Sequence, residues 1–294
     1  MEPDAALAVC RFLHDASAML LWGAYAYLSM LVPKHLAYAV GRRLQAFRIL
    51  SIVVAVVTTA AALPLEAGMI DAGWRDAVDA TTIRSVLFET SVGQAWQLQA
   101  IAALILFMTL AIPAQIRQAT TALASGLLVT SLALTGHAVM QEGWLGIAHR
   151  LNDILHVLSG GAWLGALAAL LPILSALKRP EQRLDAGLAL RRFSTAGHVA
   201  VVLVVASGVI NTILVLGRWP TDWSSPYPAL IACKIAVVAV MIVLAIVNRY
   251  GLVPQLARQR PDALRAIRLG TAVEIALGFC AVGLVSVFGM LEPS

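Results

Sequence analysis

The feature that most constrains this chain is a series of eight apolar stretches joined by short loops, near 6–32, 47–67, 93–112, 119–140, 147–176, 192–216, 229–250 and 266–291. A bilayer's hydrocarbon core takes about 20 consecutive apolar residues to cross as a helix. A helix satisfies its own backbone hydrogen bonds in lipid, and these segments are too long for barrel strands. The expectation is an all-α, polytopic membrane protein with eight transmembrane helices and no separate soluble domain. Composition agrees. Hydrophobic residues make up 60% and charged residues 13%, where a soluble chain has roughly 45–50% and 25%. Intrinsic disorder, a secreted disulfide scaffold and a nucleic-acid binder are thereby excluded. The cysteines, Cys10, Cys233 and Cys280, are too scattered for a disulfide framework or a CxxC metal site.

Basic residues fall on alternate loops. Lys34, Arg42, Arg43 and Arg48 follow the first span, Arg117 the third, and Lys178, Arg179, Arg183, Arg191 and Arg192 the fifth. Arg249, Arg258, Arg260, Arg265 and Arg268 follow the seventh, whereas the other side holds only Arg75, Arg84, Arg150 and Arg218. By the positive-inside bias, the basic loops are cytoplasmic and both termini periplasmic. The net charge of +5 is largely this rim. Met1–Val9 carries Glu2 and Asp4 and no basic residue, the reverse of a signal-peptide start, so the first span is expected to be retained. Outer residues 68–92 mix apolar and charged side chains and suit either a short interfacial helix or a plain loop.

A shift of 142 positions aligns Leu13-His14 with Leu155-His156, Ser17 with Ser159, and Gly23-Ala24 with Gly165-Ala166. Four spans preserve orientation, so such halves would be two parallel four-helix repeats, 1–140 and 141–294. Chance sharing of small and aliphatic residues explains the matches equally well. Under the repeat, His14 and His156 are equivalent.

Charges and imidazoles within spans are costly and ask for a reason. The first span carries Arg11, His14 and Asp15; Arg11 and Asp15 are four apart and can pair on one face. In the fifth span His149, Asp153 and His156 keep within about 60° of one helical face. His149 is expected at the outer interface and His156 about 10 Å deeper. Two imidazoles and a carboxylate on one stripe suit a cation such as copper, zinc, nickel or iron. A polar helix–helix seam without metal is the competing reading. His137 ends the fourth span at the outer side, with Met140 on its face as a soft thioether. Towards the cytoplasm, His198 and Glu274 form a thinner set that suits an inward path or plain structural hydrogen bonds. Lys234, in the seventh span, can neutralise Asp153 or Asp15.

Asn152-Asp153-Ile154-Leu155-His156 followed by Gly161-Ala162-Trp163-Leu164-Gly165 resembles the D-x-x-H…W-L-G signature of the bacterial copper-resistance D (CopD) family. Arg192-Phe193-Ser194, Ser207-Gly208-Val209-Ile210-Asn211, Lys234, Asn248-Arg249, Glu274 and Gly136-His137-Ala138 agree in order. The resemblance implies a multi-pass inner-membrane protein of copper homeostasis that moves Cu+ or Cu2+ from periplasm to cytoplasm, beside a small periplasmic CopC-type carrier. It implies copper positions at His137, Asp153 and His156, with His14 and His149 as neighbours. Asp15, Met140, His198, Lys234 and Glu274 then mark a candidate path. No ATP-binding motif occurs, and a transporter rather than an enzyme is expected. The rival is a membrane electron-transfer protein holding haem b between paired histidines such as His14 and His156.

Overall fold

The computed structural model describes residues 2–70, 73–134, 143–221, 225–257 and 261–291. Among them every regular element is helical and there is no strand. The first half forms α1 (Pro3–Met30), α2 (Lys34–Arg43), α3 (Gln45–Ala67), α4 (Ala80–Glu89), α5 (Ser91–Met108) and α6 (Arg117–Ser131). The second forms α7 (Gly143–Ala176), α8 (Arg183–Leu216), α9 (Pro226–Ile246), α10 (Val253–Ala257) and α11 (Pro261–Phe288). A π-helical turn, Val247–Leu252, joins α9 to α10. Gly217, at φ +64°, takes the left-handed conformation that closes α8.

Among the described residues, seven helices are long and apolar enough to cross a membrane: Pro3–Met30, Gln45–Ala67, Ser91–Ala111, Gly143–Ala176, Pro180–Leu216, Pro226–Gln255 and Asp262–Phe288. The stretch read from sequence as a fourth span, 119–140, is represented by α6, 15 residues long, and a short turn at Leu132–Leu134. Alone, α6 rises only about 22 Å, short of the hydrocarbon core. Residues 135–142, including His137 and Met140, lie outside the described residues.

The centre of the molecule is the α1–α7 crossing. α1 also packs on α3 and α6, and α7 on α8 and α11. Small residues allow the two central backbones to meet: a Cβ on Gly23 would lie 2.2 Å from the Gly161 carbonyl oxygen and 2.7 Å from Gly165 Cα. Without a hydrophobic drive between helices in lipid, such close packing is what holds spans together. Polar ties reinforce the centre. The Trp22 indole donates to the Leu158 carbonyl at 2.8 Å, and the Tyr27 hydroxyl to that of Ala189 at 3.0 Å.

The two halves pack alike. α5 lies on α6 as α9 lies on α11, and α1–α11 is matched by α6–α7. One pair departs from the match: α3 packs on α5, where the Trp96 indole donates to the Thr59 carbonyl at 2.7 Å, but α8 and α9 make no comparable contact. Both carry mainly outward-facing aliphatic side chains, which suit lipid.

The described part of segment 68–92 includes a short helix, α4. α4 starts at Asp79, whose carboxylate accepts from the Thr82 amide and hydroxyl, both at 2.8 Å. These bonds favour the ionised acid and hold it below the usual carboxylate range. Val86 then packs against Leu63 and Ala67 of α3. Arg48, expected on the cytoplasmic rim, is instead 2% exposed. Its guanidinium donates to the Thr109 carbonyl and the Thr121 hydroxyl, at 3.2 and 3.3 Å.

Candidate functional site

α1, α3, α5, α7, α8, α9 and α11 surround a cavity of about 610 Å³ whose wall is mostly aliphatic. Its polar lining gathers His14, Asp15, His149, Asp153, His156 and Lys234 in one space. Residues named from two separate sequence patterns thus converge, because α1 and α7 cross at Gly23 and Gly165 and turn these faces towards a common interior.

The hydrogen bonds of two histidines fix which ring nitrogen is free. His156 Nδ1 lies 3.2 Å from the Val204 carbonyl and 3.0 Å from the Ser207 hydroxyl. A carbonyl can only accept, so Nδ1 carries the hydrogen and Nε2 of the neutral ring keeps its lone pair. His14 repeats the arrangement: Nδ1 lies 3.1 Å from the Asp15 carboxylate, and Nε2 is buried with no partner. A ring held at one nitrogen by a carboxylate or carbonyl, with the other free, is how proteins orient imidazole metal ligands.

Asp153 is positioned by a relay. The Asn152 amide donates to the Ser207 carbonyl at 2.9 Å and to Asn211 Oδ1 at 2.6 Å, and Asn211 Nδ2 donates to Asp153 Oδ1 at 2.8 Å. Lys234 is half-buried, lies 5.8 Å from the Phe288 ring centre and is within Coulombic reach of both Asp153 and His156. Cys10 lines the same cavity one turn before His14 and donates its thiol to the Thr58 carbonyl at 3.2 Å. Sequence reading missed it, although its spacing of four from His14 puts it on that face and could have signalled it. Ser207 and Asn152 had no such signal, because their roles depend on which helix they meet.

Several expectations need correction. Arg11 does not pair with Asp15: it reaches across to Glu66 of α3 at 2.8 Å, while Asp15 serves His14. An interhelical partner brought close by α1–α3 packing displaces the intrahelical one. His149, expected at the outer interface, is buried, at 2% exposure. His198 and Glu274, expected as a separate set on the inner side, are not among the described residues lining the cavity. His198 bonds Ser194, Tyr250 and Arg249, and Glu274 accepts from the Asn248 amide at 2.6 Å. Among the described residues, no three His, Cys, Asp or Glu side chains stand close enough together to hold a metal ion. The expected ligands are spread along α7 and split between two helices, and so line one cavity without closing one coordination sphere.

Residues 1–147 match the family described as copper resistance protein D-like, N-terminal domain, and residues 187–288 match copper resistance protein D. The chain is 31% identical over 284 residues to inner membrane protein YebZ of Escherichia coli K12, covering 96% of this chain and 97% of that one. The chain belongs to the copper resistance protein D family. Copper resistance protein D of Pseudomonas syringae pv. tomato is 32% identical over 235 residues, covering 75% of this chain and 74% of that one. Copper transport protein CutJ of Bacillus subtilis is 29% identical over 233 residues, which are 76% of this chain but 41% of that longer protein. No solved structure matches this copper resistance protein D family member.

Proposed function

We propose that this protein is a multi-pass carrier of the bacterial inner membrane that takes copper from the periplasm and passes it towards the cytoplasm. The observation that carries this reading is the pair His14 and His156, each with Nδ1 anchored and Nε2 free, lining one intramembrane cavity with Asp15, Asp153 and His149. Names given to relatives, copper resistance protein D and copper transport protein CutJ, support copper as the cargo. The name of inner membrane protein YebZ supports the location.

In this account eight spans cross the bilayer with both termini periplasmic, and the chain is built as two four-helix repeats, 1–140 and 141–294. The matching helix pairs and the Gly23–Gly165 contact support the repeat, since equivalent residues near a two-fold axis meet one another. Outer acids raise the local cation concentration. His137 and Met140 receive the ion with His149, handed over by a CopC-type carrier. Asp153, His156, His14 and Asp15 then hold it within the membrane. His198 and Glu274, lying beyond the cavity, serve the inward exit. The ligands act in succession, as their spread along α7 suits. The protein acts by carriage and performs no catalysis.

Copper uptake into proteoliposomes tests this. The parent accumulates copper, and His156→Ala, Asp153→Ala and His137→Ala each reduce the rate at least about tenfold, the scale of a lost ligand. Unchanged uptake in all three removes the site. A second reading has one observation in its favour: two imidazoles with free Nε2 lining one cavity would also be able to hold haem b. Bound haem would supply electron transfer, and a stoichiometric Soret band in purified protein would select that reading.

A further inference from the structure

The charges facing the cavity say which valence it suits. Its described lining contains five formally charged side chains: Arg11, Asp15, Glu66, Asp153 and Lys234. Arg11 and Glu66 neutralise one another in their 2.8 Å ion pair. What remains is Asp15 and Asp153 against Lys234. The imidazoles are neutral when they ligate. The described lining therefore presents one net negative charge.

Lys234 is the only described basic side chain in this lining without an ion-pair partner at bonding distance. Its neighbours suit a cation, since the Phe288 ring presents its face at 5.8 Å and Asp153 lies within Coulombic reach. The same charge acts on His156. An ammonium in this place is strongly felt, because a mostly aliphatic wall screens it far less than water does. Without Lys234 the described lining would carry two net negative charges and match a divalent ion; with it, the described lining carries one.

We propose that Lys234 sets the valence the cavity accepts, holding it to a monovalent cation, with Cu+ rather than Cu2+ as the cargo. This rests on the copper reading above and adds to it a specificity-determining residue. Lys234 repels every cation, but it repels a divalent one twice as strongly, so its presence shifts the ratio of affinities. The ligand lone pairs are the same for either ion and do not discriminate between charges in this way.

The test uses Ag+ and Zn2+ as closed-shell probes differing by one charge, titrated into the purified full-length protein. Ligand softness is common to parent and variants, so the ratio of Zn2+ to Ag+ affinity reports charge. Lys234→Met raises that ratio at least about tenfold, and Lys234→Arg leaves it within about threefold of the parent. Lys234→Gln removes the same charge while keeping a polar tip and moves the ratio in the same direction, which keeps the test open should Lys234→Met fail to fold. An unchanged ratio in Lys234→Met and Lys234→Gln, or an equal shift in Lys234→Arg, overturns the inference while metal binding itself stands. Failure of every folded protein to bind either ion removes the copper reading and this inference with it.

Discussion

The position of a single hydrogen on each of two imidazole rings decides what the cavity can do. Because Val204 offers His156 a carbonyl and Asp15 offers His14 a carboxylate, both rings keep the Nε2 lone pair for a ligand. Ser207→Ala is expected to weaken copper binding less than His156→Ala does, since the Val204 carbonyl still holds Nδ1 after the hydroxyl is gone. Equal losses in the two variants would mean that Ser207 does more than orient the ring. The fifth-span stripe was legible in sequence because three polar residues at helical spacing stand out against an apolar background. The relay from Asn152 through Asn211 to Asp153 was not, since it spans 58 positions between Asp153 and Asn211 and depends on how α7 meets α8. The Arg11–Glu66 pair was missed for the same reason.

Helices are held here by contact between small residues and by local caps. Gly23→Leu forces side-chain atoms into the Gly161 carbonyl and the Gly165 backbone, and overpacking of this kind typically costs about 1–3 kcal/mol or more. Gly187→Ala is the control, because a Cβ there meets nothing within 4 Å. Thermal unfolding of the two variants in detergent separates them: a large loss for Gly23→Leu and little change for Gly187→Ala. α4 supplies a pH-dependent element outside the membrane. Asp79 has its acidity strengthened by the Thr82 donors, so the stability it contributes is present above its ordinary value of 3.8 and is lost as pH falls through the lower value of the folded state. Amide protection factors in the first turn of α4, taken against the intrinsic exchange rate, should therefore fall below about pH 4, and Asp79→Ala should show the low protection already at neutral pH. The helical nature of residues 80–89 was left open by the sequence, where apolar and charged residues mix without a clear period; the capping by Asp79 and the packing of Val86 on α3 decide it.

Across the molecule, the apolar segments announced a helical membrane protein, and seven of the expected spans stand as helices of sufficient length. Charge distribution predicted the orientation, and cysteine accessibility at exposed sites near Lys178 and near Arg84 tests it. Labelling by a membrane-impermeant reagent from the periplasmic side is expected near Arg84 and not near Lys178. What composition could not convey is the unequal closure of the two halves. α3 and α5 are tied by Trp96, whereas α8 and α9 stand apart and the cavity lies between them. That asymmetry gives the second half the room in which His156, Asp153 and Lys234 meet. The claim on which all of this depends is that His14 and His156 coordinate the same cargo. Copper-edge X-ray absorption of the copper-loaded, full-length protein measures it directly. The account predicts scattering from at least two imidazoles, reduced in either His14→Ala or His156→Ala and lost in the double variant. A spectrum of sulfur ligands alone, or one unchanged by both substitutions, would contradict it.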